Sequence, residues 1–445
     1  MEETLFPLPE KQTPADPTAK AGKPRLSRAN RGQIEWRPVN LDSLLPEDHE
    51  ARLVWEWVRG MDTSPLEAEV LSVEGAAGRP AIDPAILIAL WLYATLQGVG
   101  SARQLERLCQ EHLAYLWLCG GVSVNYHTLA DFRVGHQDFL DQVFIQSIAA
   151  LRAEGLVSMH QVAQDGKKIR ASAGSSSFHR KETLDRHLEE ARQQVEVLRK
   201  QLDENPNQLS KQQQKARQRA AQERMERIEK AKQQIEAMEK RAEETGHAKE
   251  DKKAGKVRRA SETDPQARVM KMANGGFNPA YNAQFCTDTD SNLIVGVQIS
   301  QQGNDTGLAS PMLAQVAADH GQMPDEILAD TSYFRKEEVS TVSQMGATPY
   351  FAIPGKQAPY VPKKGDPPEV VALRLRMASE EGQQKMVFRG AVAELVHAVM
   401  DQLNLARVRV RGKEKVRTVL LWFVLVHNWI RANLLRKKMA QVAVG

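Results

Sequence analysis

Three acidic residues stand where the chain could bring carboxylates together. Asp165 and Asp330 each follow a short apolar run, within Val162–Gly166 and Glu326–Asp330, that is typical of a buried strand. Glu394 lies in FRGAVAELVHAVMDQL, which has a helical pattern. Because strand ends and a neighbouring helix can share one crevice of an open α/β sheet, we expect these carboxylates to converge.

Three carboxylates in one crevice repel one another unless a cation neutralises them. Hard oxygen ligands select Mg²⁺ or Mn²⁺. Two such ions about 4 Å apart can activate a water or a 3′-hydroxyl and stabilise the leaving oxygen of a phosphodiester. This is the chemistry of nucleases, polymerases and strand transferases. The chain has 56 acidic residues, so the alternative that these aspartates merely form turns stays open on spacing alone.

The regions on either side of the first aspartate differ in pattern. Residues 1–40 are rich in Pro, Lys and Ala, have no hydrophobic period, and are predicted to be a flexible tail. Residues 41–158 predict an all-helical domain, with helix starts at Asp83 and Ser101. Its short helices fit a helix-turn-helix that reads DNA ends, and they fit an ordinary helical bundle equally well.

A helical segment interrupts the α/β pattern that carries the acids. Within residues 179–261, apolar residues repeat at steps of three and four on both sides of Pro206. This predicts an inserted antiparallel helical hairpin, with an intermolecular coiled coil as the alternative. Residues 159–178 and 262–435 would then form one α/β catalytic domain. Further strands are predicted at Ala280–Thr287, Leu293–Ser300 and Thr348–Ile353.

Composition narrows the classes of protein. The net charge is only +4, so the distribution of basic residues is more informative than their sum. Three cysteines without a CxxC motif fit the reducing cytoplasm. The longest apolar run, Ala85–Leu96, is too short to cross a bilayer, and no membrane role is expected. The absence of GxxxxGK[ST] argues against ATP-driven chemistry.

Basic residues near the predicted crevice are candidates for contacts with a nucleic-acid backbone. One group directly follows the first aspartate, and a second alternates with valines along ARVRVR after the glutamate. The third is a pair of arginines, one turn apart on the same face of a helix in the N-terminal region. Such residues are often only solvent-facing, and that alternative remains open. The candidates are Lys167, Lys168 and Arg170; Arg407, Arg409 and Arg411; and Arg103 and Arg107.

At five places the chain resembles the DDE transposases of bacterial insertion sequences. The resemblance runs from about Leu41 to Leu435, and the five motifs stand in the family's order. The motifs are GRPAIDPAILIALWLYATLQGVGSARQLER and VNYHTLADFR, which are similar to the N-terminal domain, then VAQDGKKIRA, PAYNAQFCTDTDSNLIVGVQISQQGNDTGL and ILADTSYF, which are similar to the catalytic domain.

The resemblance implies a ribonuclease-H-like core, with a mixed sheet flanked by helices, and implies the site residues. Asp165, Asp330 and Glu394 would be catalytic and would bind two Mg²⁺ or Mn²⁺ ions. Arg389, five residues before the glutamate, would contact DNA. Asp401 departs from the pattern, because many relatives have a lysine or arginine one to two turns after the glutamate. Glu380 and Glu381 are therefore the fallback candidates for the third acid.

The expected function is that of a transposase, which mobilises an insertion sequence by metal-dependent DNA cleavage and strand transfer. Its partners would be double-stranded DNA, both terminal inverted repeats and target, bound by a homodimer. One alternative is a catalytically inactive DNA-binding protein derived from a transposase. Another is a metal-dependent nuclease without strand transfer. The presence of acids at all three positions favours an enzyme over the inactive alternative.

Overall fold

A computed structural model describes residues 40–72, 80–204, 211–244, 246, 257–355 and 360–444. The flexible tail expected over residues 1–40 lies outside these residues, apart from Asn40. The described helices are α1 (Glu50–Arg59), α2 (Ser64–Glu67), α3 (Pro84–Leu96), α4 (Ala102–Glu111), α5 (Leu113–Cys119), α6 (Tyr126–Gly135), α7 (Gln137–Ala153), α8 (Lys181–Glu204), α9 (Lys211–Glu244), α10 (Ala309–His320), α11 (Lys336–Gln344), α12 (Pro368–Ala378), α13 (Glu380–Gln402) and α14 (Lys413–Val444). The described strands are β1 (Gln161–Arg170), β2 (Phe178–His179), β3 (Ala260–Ser261), β4 (Arg268–Lys271), β5 (Phe277–Asp288), β6 (Ile294–Ser300), β7 (Glu326–Ala329) and β8 (Thr348–Phe351).

Six of the strands form one mixed sheet, flanked by helices. Its path runs β4-β5-β1-β7-β8, and β6 also pairs with β5. β1 is antiparallel to β5 but parallel to β7, and β7 is parallel to β8. The predicted hairpin of β5 and β6 is confirmed, because these strands pair antiparallel around the turn after Asp288. The predicted mixed α/β architecture is likewise confirmed.

The expectation that the first strand ends at Asp165 is wrong. β1 continues to Arg170, because its antiparallel partner β5 is twelve residues long and pairs with it as far as Arg170 opposite Ala280. The parallel partner β7 stops earlier, since its last pairing with β1 is Ala163 opposite Leu328. Asp165 therefore lies inside a strand, just beyond the point where one of its two neighbours ends.

The N-terminal helices pack on α14 and share its core. Leu420, Leu421 and Trp422 of α14 are at most 1% exposed. Complete burial of a side chain of this size contributes about 1.5–3 kcal/mol. The Trp422 indole also donates a hydrogen bond to the Arg133 carbonyl at the end of α6. By length and composition, α14 is the one described helix that could cross a membrane, yet 67% of its most apolar window is buried inside the protein.

The two long helices α8 and α9 pack against each other. Asp185 pairs with Lys232, and Arg192 pairs with Glu229, so the chain directions are opposite. The shared apolar contact is a small cluster separate from the main core. Its buried members are Leu184, Leu188, Ala191, Ile228, Ala231, Ile235 and Ala260.

Candidate active site

The parallel pairing of β1 and β7 sets Asp165 and Asp330 at the same level. Gln161, Val162 and Ala163 lie opposite Glu326, Ile327 and Leu328. Each pair differs by 165 positions, so two residues further along the same register reach Asp165 and Asp330. Side chains beyond the carboxyl ends of parallel strands face a common crevice. Both aspartates therefore stand at one edge of the sheet.

The Asp165 carboxylate is largely buried. Burial raises its pKa to about 6, while the Arg389 guanidinium and the Gly166 backbone N–H act in the opposite direction. Asp330 and Asp305 add to the rise through charge repulsion. An Arg389 Nη2 lies 3.0 Å from Asp165 Oδ1. The raised pKa therefore reflects mainly the removal of the Asp165 carboxylate from water, with a smaller contribution from the two neighbouring acids.

Ser332 joins the second aspartate to an acid that sequence reasoning did not assign. Asp330 caps the short 3-10 helix Thr331–Tyr333, and its Oδ1 accepts hydrogen bonds from the Ser332 backbone N–H at 2.8 Å and from its hydroxyl at 2.6 Å. The same hydroxyl lies 2.9 Å from Asp305 Oδ2. One hydroxyl has a single hydrogen to donate. The Ser332 hydroxyl can therefore donate to Asp330 or to Asp305, but not to both at once.

Gly166 leaves room for the acid on the other side of β1. A Cβ at this position would lie 2.5 Å from Asp305 Oδ1 and 2.4 Å from Gln284 Nε2. Asp305 Oδ1 also accepts 2.7 Å hydrogen bonds from the side-chain amides of Asn282 and Gln284. The glycine after Asp165 thus permits a close approach of Asp305 to the strand.

Helix α13 covers the face of β1 that carries Asp165. His397 Nε2 lies 3.8 Å from Asp165 Oδ2. Burial lowers the pKa of His397 to about 4, and the charge of Lys167 acts in the same direction. Among the described residues, Nε and Nη2 of Arg389 and Nε2 of His397 are buried without a hydrogen-bond partner. Nη2 of Arg389 and Nε2 of His397 already face the Asp165 carboxylate, whereas Nε of Arg389 has no partner among the described residues.

Glu394 lies on α13 between Arg389 and His397, and its side chain is exposed. In the described part of the chain it has no hydrogen-bond or ion-pair partner. The carboxylates of Asp165, Asp330 and Glu394 do not all lie within 4.8 Å of one another. The structure thus brings the two aspartates to one edge of the sheet and leaves the glutamate on the adjacent helix.

The basic residues of β1 have different surroundings. Lys167 Nζ forms a 2.8 Å ion pair with Asp401 Oδ1 and is only 14% exposed. Lys168 is half-buried. Arg170 is exposed and donates a 2.6 Å hydrogen bond to Asn278. The acid at position 401, which departs from the family pattern, therefore neutralises the first of the three predicted basic residues.

The alternating arginines after α13 lie next to the end of β1. Arg407 forms a parallel bridge with Arg170, so a single bridge replaces the expected strand. Arg407, Arg409 and Arg411 are exposed, whereas Val408 between them is buried. The prediction that ARVRVR forms a strand with its three arginines on one face is therefore wrong, although the arginines are exposed. The three arginines form an exposed basic edge.

The arginines of α4 lie on the surface of the helical region. The Arg103 guanidinium stacks 4.8 Å from the centre of the Tyr126 ring. Arg107 lies 3.7 Å from Glu111, and both side chains are more than 60% exposed. An ion pair as exposed as this one contributes about 0–1 kcal/mol, so Arg107 can exchange Glu111 for another anion.

The donor atoms of this crevice suit a hard divalent cation in their chemistry, although no three of the described acids here lie within 4.8 Å of one another. Asp165, Asp330 and Asp305 supply carboxylate oxygens, the ligands that Mg²⁺ and Mn²⁺ prefer. The Asp165 carboxylate is buried, and a single hydroxyl lies between Asp305 and Asp330. Charge from a cation would stabilise these carboxylates. Among the described residues, His397 is the histidine that approaches the Asp165 carboxylate.

Comparison with known proteins agrees with this architecture. The fold and the site define an α/β protein with an acidic crevice beside two parallel strands. Residues 39–134 match the family model of a transposase domain (DUF772), and residues 245–429 match that of the transposase DDE domain. The chain belongs to the DDE transposases of insertion sequences. Asp330 and Glu394 lie within the second match, whereas Asp165 lies between the two. No curated protein and no solved structure matches the chain.

Proposed function

We propose that this transposase cleaves the DNA ends of its element and joins them to target DNA, using a ribonuclease-H-like core. The observation that carries the proposal is the common level of Asp165 and Asp330 beside parallel strands, next to the helix that bears Glu394. These three residues are the proposed catalytic acids and metal ligands. Asp305, which stands against Gly166, is a fourth candidate ligand or orients Asp330 through Ser332.

The proposed mechanism assigns each side chain around the crevice a role. Two bound Mg²⁺ or Mn²⁺ ions would neutralise the acids and activate the attacking water or 3′-hydroxyl. Arg389, whose Nη2 lies 3.0 Å from Asp165 Oδ1 and whose Nε has no hydrogen-bond partner among the described residues, would also donate to a phosphate oxygen, since guanidinium and phosphate pair well. His397, whose pKa of about 4 keeps it neutral at neutral pH, would stand beside Asp165 as an uncharged side chain.

The proposed path of DNA leads from this crevice to a basic cavity of 440 Å³. Arg133 and Arg409 both line it. Burial lowers the pKa of Arg133 to about 10, and the charge of Arg409 adds to this shift. Arg133 Nε has no hydrogen-bond partner among the described residues, although its Nη1 donates to the Gly100 carbonyl at 2.7 Å. A backbone phosphate in this cavity would separate the two like charges and satisfy the free donor.

We also propose that residues 41–158 contact the DNA ends and that residues 159–178 and 262–435 form the catalytic domain. Residues 179–261 would form an inserted antiparallel hairpin. Two chains would act together, one at each end of the element. Because α3, α6 and α7 pack on α14, a fragment of residues 1–158 would expose its core. DNA recognition is therefore best tested in the full chain.

The experiment uses a DNA duplex that carries the terminal inverted repeats flanking the gene. With Mg²⁺ or Mn²⁺, the full chain should cut at the repeat ends and transfer the 3′ ends to a plasmid. Binding of the repeats without any cutting would instead favour a catalytically inactive DNA-binding protein derived from a transposase. Cutting without any joined product would favour a plain nuclease.

A further inference from the structure

Three side chains that commonly bind metals meet where the helical hairpin leaves and re-enters the core. His179 is the last residue of β2, His187 lies in the second turn of α8, and Glu262 follows β3. One potential ligand atom from each lies within 4.8 Å of the others. Within the described residues, no other three histidine, cysteine or acidic side chains meet this closely.

The distances between these atoms suit a small transition-metal ion. His187 Nδ1 lies 3.0 Å from one Glu262 oxygen, and His179 Nε2 lies 3.8 Å from the other. Ligands bonded at about 2.0–2.1 Å to a tetrahedral ion are about 3.3–3.5 Å apart. The observed distances run to different oxygens of Glu262, and one ligand atom from each of the three residues lies within 4.8 Å of the others. Small shifts of the side chains would therefore complete the geometry.

The backbone around the three ligands is already ordered by hydrogen bonds. β2 and β3 pair with His179 opposite Ala260, and the Glu262 N–H donates to the Ser177 carbonyl at 3.0 Å. The His179 and His187 rings are in edge contact, with their centres 4.9 Å apart. The ligand side chains are 18–28% exposed, so an ion and a water molecule can reach them. The site therefore requires little rearrangement on binding.

We propose that His179, His187 and Glu262 bind a transition-metal ion, best matched by Zn²⁺, that fastens the root of the hairpin to the core. Two imidazoles and one carboxylate form a donor set that suits Zn²⁺. The catalytic crevice offers mainly carboxylates, so the two sites select different ions. The bound ion joins position 179 to position 262, the exit and return of the hairpin. This site depends on none of the residues assigned to catalysis.

The test measures Zn²⁺ bound to the full chain after dialysis, with excess Mg²⁺ present to occupy the acidic crevice. One ion per chain is expected. His187→Ala should weaken binding by more than about 10–100-fold, the loss caused by changing even an outer-shell residue. His160→Ala is the matched control, because His160 pairs with the single carboxylate of Asp325 at 2.6 Å. This control should bind Zn²⁺ like the wild type.

A second measurement needs no variant. Zn²⁺ should slow hydrogen exchange of backbone amides in residues 177–187 and 260–263 of the wild-type chain, while Mg²⁺ should not. Unchanged exchange with Zn²⁺ would show that the histidines and Glu262 form only a hydrogen-bonded group. Stoichiometric binding that is equal in His187→Ala and His160→Ala would also overturn the proposal. Both results are independent of whether the chain cleaves DNA.

Discussion

The Lys167 ammonium lies 2.8 Å from the Asp401 carboxylate, and this ion pair ties β1 to α13. The lysine comes from the strand of Asp165 and the aspartate from the helix of Glu394. The family resemblance leads one to expect a cation on the helix near position 401. Here the helix supplies the acid, and the cation comes from the strand. The pair therefore helps to hold the two acid-bearing elements together.

Asp401→Asn should release Lys167 to contact DNA. Loss of the ion pair should cost about 0.5–1 kcal/mol of stability. One additional phosphate contact should steepen the plot of log binding constant against log salt by about 1. Fluorescence anisotropy over a salt series measures this slope. Asp131→Asn, which removes a negative charge from the exposed face of α6, is the control, and equal slopes for the two variants would contradict the role given to Lys167.

The raised pKa of Asp165 predicts a stability that depends on pH when divalent ions are absent. The pKa rises from 3.8 to about 6 on folding, so the folded state disfavours the ionised form. The penalty is absent below about pH 4 and complete above about pH 6, where it reaches at most about 3 kcal/mol. Asp165→Asn should therefore stabilise the metal-free protein near pH 7 but not below pH 4.

Urea unfolding in chelator measures this difference at the two pH values. Asp131→Asn, on the exposed face of α6, changes the same chemical group and should have little effect at either pH. The same gain for Asp165→Asn at both pH values would show that burial of its charge is not the cause.

Gly166→Ala should impair cleavage more than it impairs folding. The added methyl would meet Asp305 Oδ1 and Gln284 Nε2 at 2.4–2.5 Å, so these side chains must move. Overpacking of this kind costs about 1–3 kcal/mol. Gly135→Ala, whose added Cβ would meet nothing within 4 Å, should fold and cleave normally. Thermal melting and cleavage of the DNA ends are measured on both variants. Full cleavage activity of Gly166→Ala would contradict the assignment of Asp305 and Gly166 to the active site.

Arg409→Ala should weaken binding to all DNA sequences alike. The arginine is assigned to a backbone phosphate in the cavity that it shares with Arg133, so the salt slope should fall by about 1. Arg436→Ala is the control, because Arg436 is an arginine of α14 that pairs with Glu154. Titrations measure the binding constants of both variants for a repeat duplex and for a scrambled duplex. A loss confined to the repeat would mean that Arg409 reads bases instead.

Local patterns were sufficient to predict the strands that lead to the acids. Short apolar runs around Val162 and Ile327, and the turn after Asp288, predicted β1, β7 and the β5–β6 hairpin because these signals lie within a few residues. Asp165 was expected at a strand end. The pairing with the distant β5 extends β1 to Arg170, and the residues around Asp165 do not indicate this pairing.

Long-range contacts account for the residues that sequence reasoning missed. Asp305 was given no role in the site, although its position before a helix and after β6 places it beside Gly166. His397 lies one turn after Glu394, a spacing that could have identified it. The partners Lys167 and Asp401 are 234 positions apart. Charge alone could not show that they meet.

Asp330→Cys tests most directly whether this carboxylate binds the ion used in cleavage. A thiolate binds Mg²⁺ poorly and accepts softer ions such as Mn²⁺ better. The variant should therefore leave the terminal-repeat duplex uncut in Mg²⁺ and recover cleavage in Mn²⁺, while the wild type cuts with either ion. Cleavage by the variant in Mg²⁺ at the wild-type rate would contradict the assignment of Asp330 as a metal ligand and, with it, the proposed site.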